Sequence, residues 1–331
     1  MIRRREFITL LGGAAAWPVA ARAQQGDRVR RIGVLMSRDE NDPEGKRRYS
    51  AFTQALAGLG WTEGRNLRMD LRWVGADAGR IRVSAQELVA LQPDIILTQA
   101  TPNTAAVQRE TRTIPIVFAI GGDPVASGIV PRLDRPGGNI TGFADFGDAS
   151  VYGKYLQLLL EIAPGLKRAA IMFNPDTNPV TVYMPSFETA ARSLKVELLI
   201  APVHSDVDLE TATTSALGRE PGGGLVVMSG GFMTTHRAPI ISAAARNHVP
   251  AVYTLPEFAR EGGLLSYGPD QVDNWHRAAI YVDRILRGAK PGELPVQFPT
   301  KFEMVLNLKA VKAMDLNISR TLRAFATEVI E

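Results

Sequence analysis

The chain has 331 residues, of which 45% are hydrophobic and none is cysteine, and its formal net charge is +4. This length exceeds that of one ordinary domain and suits two. The missing cysteines exclude a disulfide framework, a thiolate metal site, a cysteine nucleophile and a lipid anchor on a cysteine. The small net charge argues against the concentrated basic face that a nucleic-acid partner requires.

Residues 1–23 have the pattern of an export signal. The basic run Arg3-Arg4-Arg5 precedes an apolar and small-residue stretch from Phe7 to Ala21, which is too short for a permanent membrane span. Ala21-Arg22-Ala23 is a small-x-small cleavage site. The arginine pair before Glu6-Phe7-Ile8 favours the twin-arginine route, with a Sec signal or a transit peptide as the alternatives. We therefore expect the rest of the chain to be a soluble monomer in the periplasm, with a net charge of +1 once the four arginines and one glutamate of the signal are removed.

Residues 24–145 alternate β-rich runs with amphipathic helical stretches, which favours a parallel sheet with helices on both faces. The expected elements are strands at Ile32–Met36, Leu67–Trp73, Ile95–Leu97 and Ile116–Ile120 and helices at about Gly45–Leu59, Ile81–Leu91 and Thr104–Thr111. Because Leu67–Trp73 alternates apolar and polar residues, we expect it at a half-exposed edge. A short helix is expected after Asp123-Pro124, and Asn139–Gly142 ends this lobe.

The same pattern restarts in residues 146–266 and predicts a second lobe. Its expected elements are helices at Tyr152–Ile162, Val180–Leu194, Leu209–Leu217 and Pro239–Asn247 and strands at Ala169–Phe173, Val196–Ile200, Leu225–Met228, Ala251–Tyr253 and Gly263–Tyr267. Gly222-Gly223-Gly224 indicates a hinge. We expect residues 267–331 to return onto the lobes through a long helix at Val272–Leu286, a strand at Phe302–Leu306 and one or two terminal helices. The sequence thus predicts an α/β fold of two doubly wound parallel-sheet lobes joined by a hinge; one large doubly wound domain is the alternative.

Small, hydroxylated and amide residues follow the predicted strands. In open α/β sheets, ligands bind beyond the carboxyl ends of the strands, where helix N-termini point. The candidate ligand-binding residues are therefore Ser37, Thr101, Asp123, Asn174, Asn178, Ser229, Tyr253 and Tyr267. Backbone N–H groups at a helix start, helped by the Thr101 hydroxyl, suit a carboxylate or similar anion. Asp123 suits a cation such as a ligand ammonium, and Tyr253 with Tyr267 suits an aromatic wall.

Each of these candidates also has a purely structural interpretation. Thr101 before a proline, and likewise Asp123, makes a good helix N-cap. Asn174 and Asn178 are typical of turns, and tyrosines commonly pack in a core. Arg38 follows Ser37 directly, but a loop arginine is usually solvated.

The sequence has no catalytic or metal-binding pattern. Its four histidines lack the i,i+4 spacing of a metal site, and it contains no nucleophile elbow G-x-S-x-G, no G-x-G-x-x-G and no P-loop. Ser229 lies in Met228-Ser229-Gly230-Gly231, which is only loosely similar to such an elbow. We expect no catalysis, metal or cofactor, with an exported α/β hydrolase that uses Ser229 as the alternative.

Several segments spread over the chain carry a family resemblance. The most specific are Asp123–Val130 and Arg135–Gly142, and Leu59–Leu67 and Ser266-Tyr267-Gly268 add to them. With these segments the chain resembles the ABC transporter substrate-binding proteins of the tryptophan-binding-like group, which have the type I periplasmic binding protein fold. The resemblance implies two lobes that close on a small ligand, such as an amino acid or a related small organic molecule, and then dock on an ABC permease in the inner membrane. A sensor partner that presents its ligand to a membrane receptor is the remaining alternative.

Overall fold

The computed structural model describes residues 28–120, 122–145, 150–176, 183–217 and 222–331. The predicted export signal at 1–23 and the candidate Asn178 lie outside these ranges. The described residues form two α/β lobes, each built around one sheet and its own buried apolar core. The predicted fold class is therefore confirmed.

The N-terminal lobe contains a sheet of five parallel strands in the order β2-β1-β3-β4-β5. These strands are β1 (Arg30–Met36), β2 (Leu67–Trp73), β3 (Ile95–Gln99), β4 (Ile116–Ile120) and β5 (Ile140–Ala144). The unbroken apolar runs of β1 and β3 lie inside the sheet, where both faces are covered by helices. The edge position predicted for β2 is confirmed, and only Leu67 in it is buried.

Helices α1 (Pro43–Gly58), α2 (Ala78–Ala90) and α3 (Thr101–Glu110) cover this sheet together with a later helix that returns to it. The helix predicted after Asp123-Pro124 is wrong, because that segment forms turns. There the Asp123 carboxylate accepts the backbone N–H groups of Val125 and Ala126 at 2.8 and 3.1 Å, and Gly128 takes a φ of 69°. A left-handed glycine so soon after the cap ends any helix that begins at Asp123.

The C-terminal lobe contains a seven-stranded sheet in the order β12-β11-β10-β9-β8-β6-β7. Its strands are β6 (Arg168–Phe173), β7 (Glu197–Pro202), β8 (Gly223–Val227), β9 (Ala251–Tyr253), β10 (Leu265–Pro269), β11 (Phe302–Asn307) and β12 (Glu328–Ile330). The helices up to β10 are α4 (Ser150–Ile162), α5 (Met184–Leu194), α6 (Asp206–Leu217), α7 (Gly231–Thr235), α8 (Arg237–Arg246) and α9 (Pro256–Arg260). Strand β11 pairs antiparallel with β10, so this sheet is mixed rather than wholly parallel.

Within the described ranges, the chain passes between the two sheets three times. It leaves the first sheet between β5 and α4, returns after β10 through α10 (Gln271–Leu286), and leaves again before β11. Helix α10 packs on α1, and its Trp275 is fully buried edge-on against Phe52. Helices α11 (Leu308–Ala313) and α12 (Arg320–Phe325) then end the chain beside β12. The domain boundaries expected at 145 and 266 stay predictions.

The glycines Gly222–Gly224 do not form the hinge that the sequence indicated. Gly223 and Gly224 begin β8 and lie in register with Arg168 and Ala169 inside the second sheet. A Cβ on Gly224 would come within 2.7 Å of the Leu166 side chain, so close packing explains this glycine. The segments that join the lobes are the three crossings instead. No helix among the described residues combines the length and the apolar character of a membrane span.

Candidate ligand-binding site

A cavity of about 290 Å³ lies between the lobes and is lined by residues of both. The N-terminal lobe contributes the loops after β1, β3 and β4, and the C-terminal lobe contributes α4, Asp176 after β6, Tyr183 before α5 and the loop after β8. Both sheets therefore present the carboxyl ends of parallel strands to the same space, which is where open α/β sheets bind ligands. A cavity of this size suits a small organic molecule.

Four of the predicted candidates line this cavity: Ser37, Thr101, Asp123 and Ser229. The backbone N–H of Ser37 donates to the Gln99 side chain at 3.1 Å, which orients that amide toward the cavity wall. Thr101 is the first residue of α3, and no side chain caps this helix start. Uncapped backbone N–H groups therefore border the cavity. A ligand contact by these four residues stays a prediction.

The structure places the other described candidates away from the cavity lining. Tyr253 is buried in the core of the C-terminal lobe and stacks on Phe258, with ring centroids 5.0 Å apart. Tyr267 points into the opposite core and stacks on Phe302. Successive strand residues face opposite sides of a sheet, so a tyrosine near a strand end can point into the core rather than toward the cavity at the end of the strand. Asn174 is buried and donates from Nδ2 to the Val203 carbonyl at 2.9 Å.

The aromatic part of the cavity comes instead from Tyr152 and Tyr183. Their ring centroids lie 5.3 Å apart, and Phe187 packs against both rings. Tyr152 lies in the first turn of α4 and Tyr183 directly precedes α5, so both stand at helix starts in the second lobe. Their position at the start of a helix is the feature by which the sequence could have indicated them, because neither tyrosine lies at a strand end.

Arg38 was expected to be solvated but is only 4% exposed. Its Nη1 pairs with Asp42 at 3.0 Å, and its Nη2 pairs with Glu257 of α9. Arg48 on α1 shares Glu257, at 3.4 Å from Nη2 to Oε1. A buried guanidinium is tolerated only with such counter-ions. The decisive partner lies 219 positions later in the chain, so no local pattern could indicate it.

These groups form a charged cluster that connects the two lobes. We call it the interlobe ion cluster: Arg38, Asp42, Arg48, Arg237 and Glu257. Arg237 of α8 adds a further pair across the lobes, at 3.0 Å from Asp42. Burial alone would raise the pKa of Glu257, but the charges of Arg38 and Arg48 outweigh burial and hold that pKa at about 2. Glu257 is therefore ionised at every physiological pH.

A second buried carboxylate, Asp145, lines the cavity where the chain leaves the first lobe. Asn274 of α10 donates from Nδ2 to its Oδ1 at 3.2 Å. Burial raises the pKa of Asp145 to about 6, although the polar side chains of Gln271 and Asn274 and the charge of Arg48 counteract it. Asp145 was not among the sequence candidates, because nothing in its local sequence predicts its burial.

Three polar atoms of cavity-lining residues are buried without a hydrogen-bond partner in the described part of the chain. They are Arg48 Nε, Tyr183 Oη and Gln271 Nε2. A buried polar group without a partner is costly, and such groups concentrate where a ligand binds. These atoms are therefore suited to meet the polar groups of a solute.

Comparison with known proteins identifies the family of this chain. The family model of the ABC transporter substrate binding proteins matches residues 35–330. The chain belongs to this family. A tyrosine-binding protein from Clostridioides difficile is 25% identical over 271 residues, which cover 80% of this chain and 75% of that protein.

Solved structures agree with the lobes described above. A conserved domain protein from Vibrio cholerae O1 biovar El Tor superposes with a TM-score of 0.83 at 25% identity, covering 91% of this chain and 100% of that one. The ABC domain of a Streptococcus pneumoniae protein in complex with L-Trp superposes with a TM-score of 0.82 at 22% identity, covering 91% and 99%. The resemblance predicted from the sequence is therefore confirmed.

Membership in this family carries a general function. Its proteins are solute-binding proteins that work with ABC permeases and are typically found outside the cytoplasm. In the described part of this chain, no group of three or more histidine, aspartate or glutamate side chains is placed to hold a metal ion.

Proposed function

We propose that this substrate-binding protein captures an amino acid or a related small organic molecule in the cavity between its lobes and delivers it to an ABC importer. It works in the periplasm as a monomer and catalyses no reaction. One lobe binds the solute first, the other closes on it, and the closed form docks on the permease. Closure requires that the solute bind the closed form more tightly than the open form.

The observation that carries this proposal is the composition of the cavity wall. Both lobes supply polar groups to one small space, and Arg48, Tyr183 and Gln271 each bring a buried polar atom that has no hydrogen-bond partner among the described residues. The aromatic pair Tyr152 and Tyr183 offers a flat apolar surface beside them. Such a mixture suits a solute with a polar end and an apolar side chain. The tyrosine-binding relative supports the amino-acid class.

Ligand capture is tested by thermal-shift screening of residues 24–331 against amino acids, aromatic acids and sugars, because a ligand that binds only the folded form raises Tm. Thr101→Trp places a bulky ring at the cavity wall, and we expect it to abolish the shift that a hit produces. Thr113→Trp is the matched control beyond the other end of the same helix α3, where the side chain is exposed. An equal shift in both variants would place the ligand elsewhere.

The importer role is tested by transport. We expect membrane vesicles that contain the cognate permease to accumulate the labelled hit only when the protein is added to the permease's outer side. Capture of a membrane receptor without transport would support a sensor partner instead. Turnover of an ester by the protein, lost in Ser229→Ala, would support a hydrolase. Fractionation of cells that express the full chain tests the periplasm, and Arg4→Lys tests the twin-arginine route.

A further inference from the structure

The positive charges at the cavity are already neutralised by the protein. Arg38 and Arg48 line the cavity, but Arg38 pairs with Asp42 and Glu257, and Arg48 pairs with the same glutamate. Their guanidinium groups therefore face acids behind the wall. A ligand anion at this wall would compete with two buried carboxylates for the same two cations, which disfavours a purely anionic ligand.

Three carboxylates among the cavity-lining residues form no ion pair with a described arginine: Asp123, Asp145 and Asp176. Asp123 is partly exposed and uses its side chain to hold its own turn. The Asp176 side chain is 75% exposed and lies 3.1 Å from His204 at the rim. Asp145 alone among them is buried, at 8% exposure, and no described cation lies within ion-pairing distance of its carboxylate.

The groups around Asp145 come from both lobes and from the crossings between them. Asn274 and Gln271 lie at the start of α10, where the chain returns to the first lobe. Arg48 and Glu257 act on Asp145 through charge, in opposite directions, and Asp145 in turn acts on Tyr152 and Tyr155 of α4. Asn274 donates to the Asp145 carboxylate and the Gln271 side chain also acts on it, yet neutral amides cannot balance the charge of a carboxylate.

We infer that Asp145 is a specificity-determining residue that binds a protonated amine of the ligand at the hinge side of the cavity. The inference rests on the proposed function and narrows its ligand class to amine-bearing solutes, zwitterionic amino acids included, at the expense of simple carboxylic acids and sugars. The ligand cation supplies the counter-charge that none of the described residues supplies as an ion pair at this position. An ion pair formed out of water is strong, so a neutral analogue is rejected.

Proton competition follows from this ion pair. Only the ionised carboxylate attracts an amine, and Asp145 takes up a proton near pH 6. The amine itself stays protonated between pH 5 and pH 8, as do Arg48 and Arg38, while Glu257 stays ionised. We therefore expect affinity to fall as the pH drops through 6, reaching roughly tenfold weaker binding at pH 5 than at pH 7.5.

The test compares amine-bearing probes with their matched desamino analogues by calorimetry. The probes are L-tyrosine, L-tryptophan and L-leucine, and each analogue has hydrogen in place of the amino group. We expect binding only in the amine series, with affinity roughly 10- to 100-fold weaker in Asp145→Asn. The wild type should also lose affinity toward pH 5 and release protons on binding at pH 6, and the variant should do neither. The pH dependence of affinity and the release of protons on binding both report on the titration of Asp145. A residue with a merely structural role would change neither.

The outcomes separate the two proposals. Binding of the desamino analogues as tightly as the amines, or an unchanged pH profile in Asp145→Asn, overturns the role of Asp145 and leaves the solute-binding function in place. Binding of neither series contradicts the amino-acid class and this inference together. Asp123→Asn is the control for lost charge at the wall, and we expect it to keep the pH profile of the wild type.

Discussion

Two buried carboxylates at the same cleft have opposite electrostatic surroundings. Glu257 in the interlobe ion cluster is 1% exposed and has a pKa of about 2, whereas Asp145 at the hinge side is 8% exposed and has a pKa of about 6. Burial acts on both in the same direction and would raise each value. The difference comes from the counter-ions, because two arginines form ion pairs with Glu257, whereas the described hydrogen-bond partner of Asp145 is an amide and Arg48 acts on Asp145 only through its charge.

This difference distinguishes Glu257, which stabilises the structure, from Asp145, which we propose binds the ligand. The protein completes the charge balance at Glu257 with its own residues, and the completed pairs connect the lobes. No described cation forms an ion pair with Asp145, so its ionisation lowers the stability of the ligand-free protein. Strongly shifted groups in a cleft are candidates for function when no protein partner explains them. We therefore expect the interlobe ion cluster to stabilise the contact between the lobes and Asp145 to contribute to the choice of ligand.

The largest effect is expected when the counter-ion of the arginines is removed. Glu257→Gln leaves Arg38 and Arg48 buried near each other without their shared acid, and breaking a buried pair this way costs about 3–5 kcal/mol. The measurement is the free energy of unfolding in urea at pH 7.5. Glu261→Gln is the matched control, because Glu261 pairs with Arg237 at a position that is 36% exposed, and there we expect a loss of less than about 1 kcal/mol. Equal losses in the two variants would remove the special role of Glu257.

The ion pairs of Glu257 with Arg38 and Arg48 also predict a loss of stability in acid. The folded-state pKa of Glu257 lies below its ordinary value, so its contribution is present above about pH 4.5 and is lost as the pH falls toward 2. Unfolding measured along this range should show a steeper decline in the wild type than in Glu257→Gln.

Removing the Asp145 carboxylate is expected to raise the free energy of unfolding, whereas removing the Glu257 carboxylate lowers it. The folded-state pKa of Asp145 lies above its ordinary value of 3.8, so the ligand-free protein loses stability as the pH rises from about 4 to about 6, and the loss is complete above that range. Asp145→Asn should therefore gain up to about 3 kcal/mol at pH 7.5, and the gain should vanish below about pH 3, where both the folded and the unfolded wild type carry a protonated Asp145. Urea unfolding without ligand at the two pH values measures this. The control Asp134→Asn changes an exposed carboxylate and should show no pH-dependent gain in stability. If Asp145→Asn is less stable than the wild type at pH 7.5, the inference that Asp145 is ionised without a protein counter-ion among the described residues is wrong.

Most of the scaffold could be predicted from the sequence, because the parallel strands are buried on both faces and therefore appear as apolar runs. Strand β2 matched its expected bounds and its edge position. The errors lie where tertiary contacts decide. Gly224 looked like a hinge but serves close packing, and the antiparallel pairing of β11 depends on a third crossing that no local pattern reveals.

The candidate site was less predictable, for a related reason. Strand ends correctly indicated which loops meet, so Ser37, Thr101 and Ser229 do line the cavity. Which tyrosine faces the cavity depends on how a helix is rotated on its sheet, which is a tertiary property. Burial of Arg38 and Asp145 likewise depends on elements far away in the chain, so their charge states could not be predicted.

The smallest effect is expected at Asp123, the carboxylate that the sequence favoured for a ligand ammonium. It lines the cavity, so Asp123→Ala should weaken binding, but partial exposure screens its charge and we expect a smaller loss than in Asp145→Asn. Its hydrogen bonds to Val125 and Ala126 predict a stability loss of about 1 kcal/mol, as for a lost helix cap. Calorimetry with the same amine probe and urea unfolding separate the two effects. A larger affinity loss in Asp123→Ala than in Asp145→Asn would contradict the role of Asp145. The cationic group of the ligand would then lie beside the partly exposed Asp123, where water can reach it.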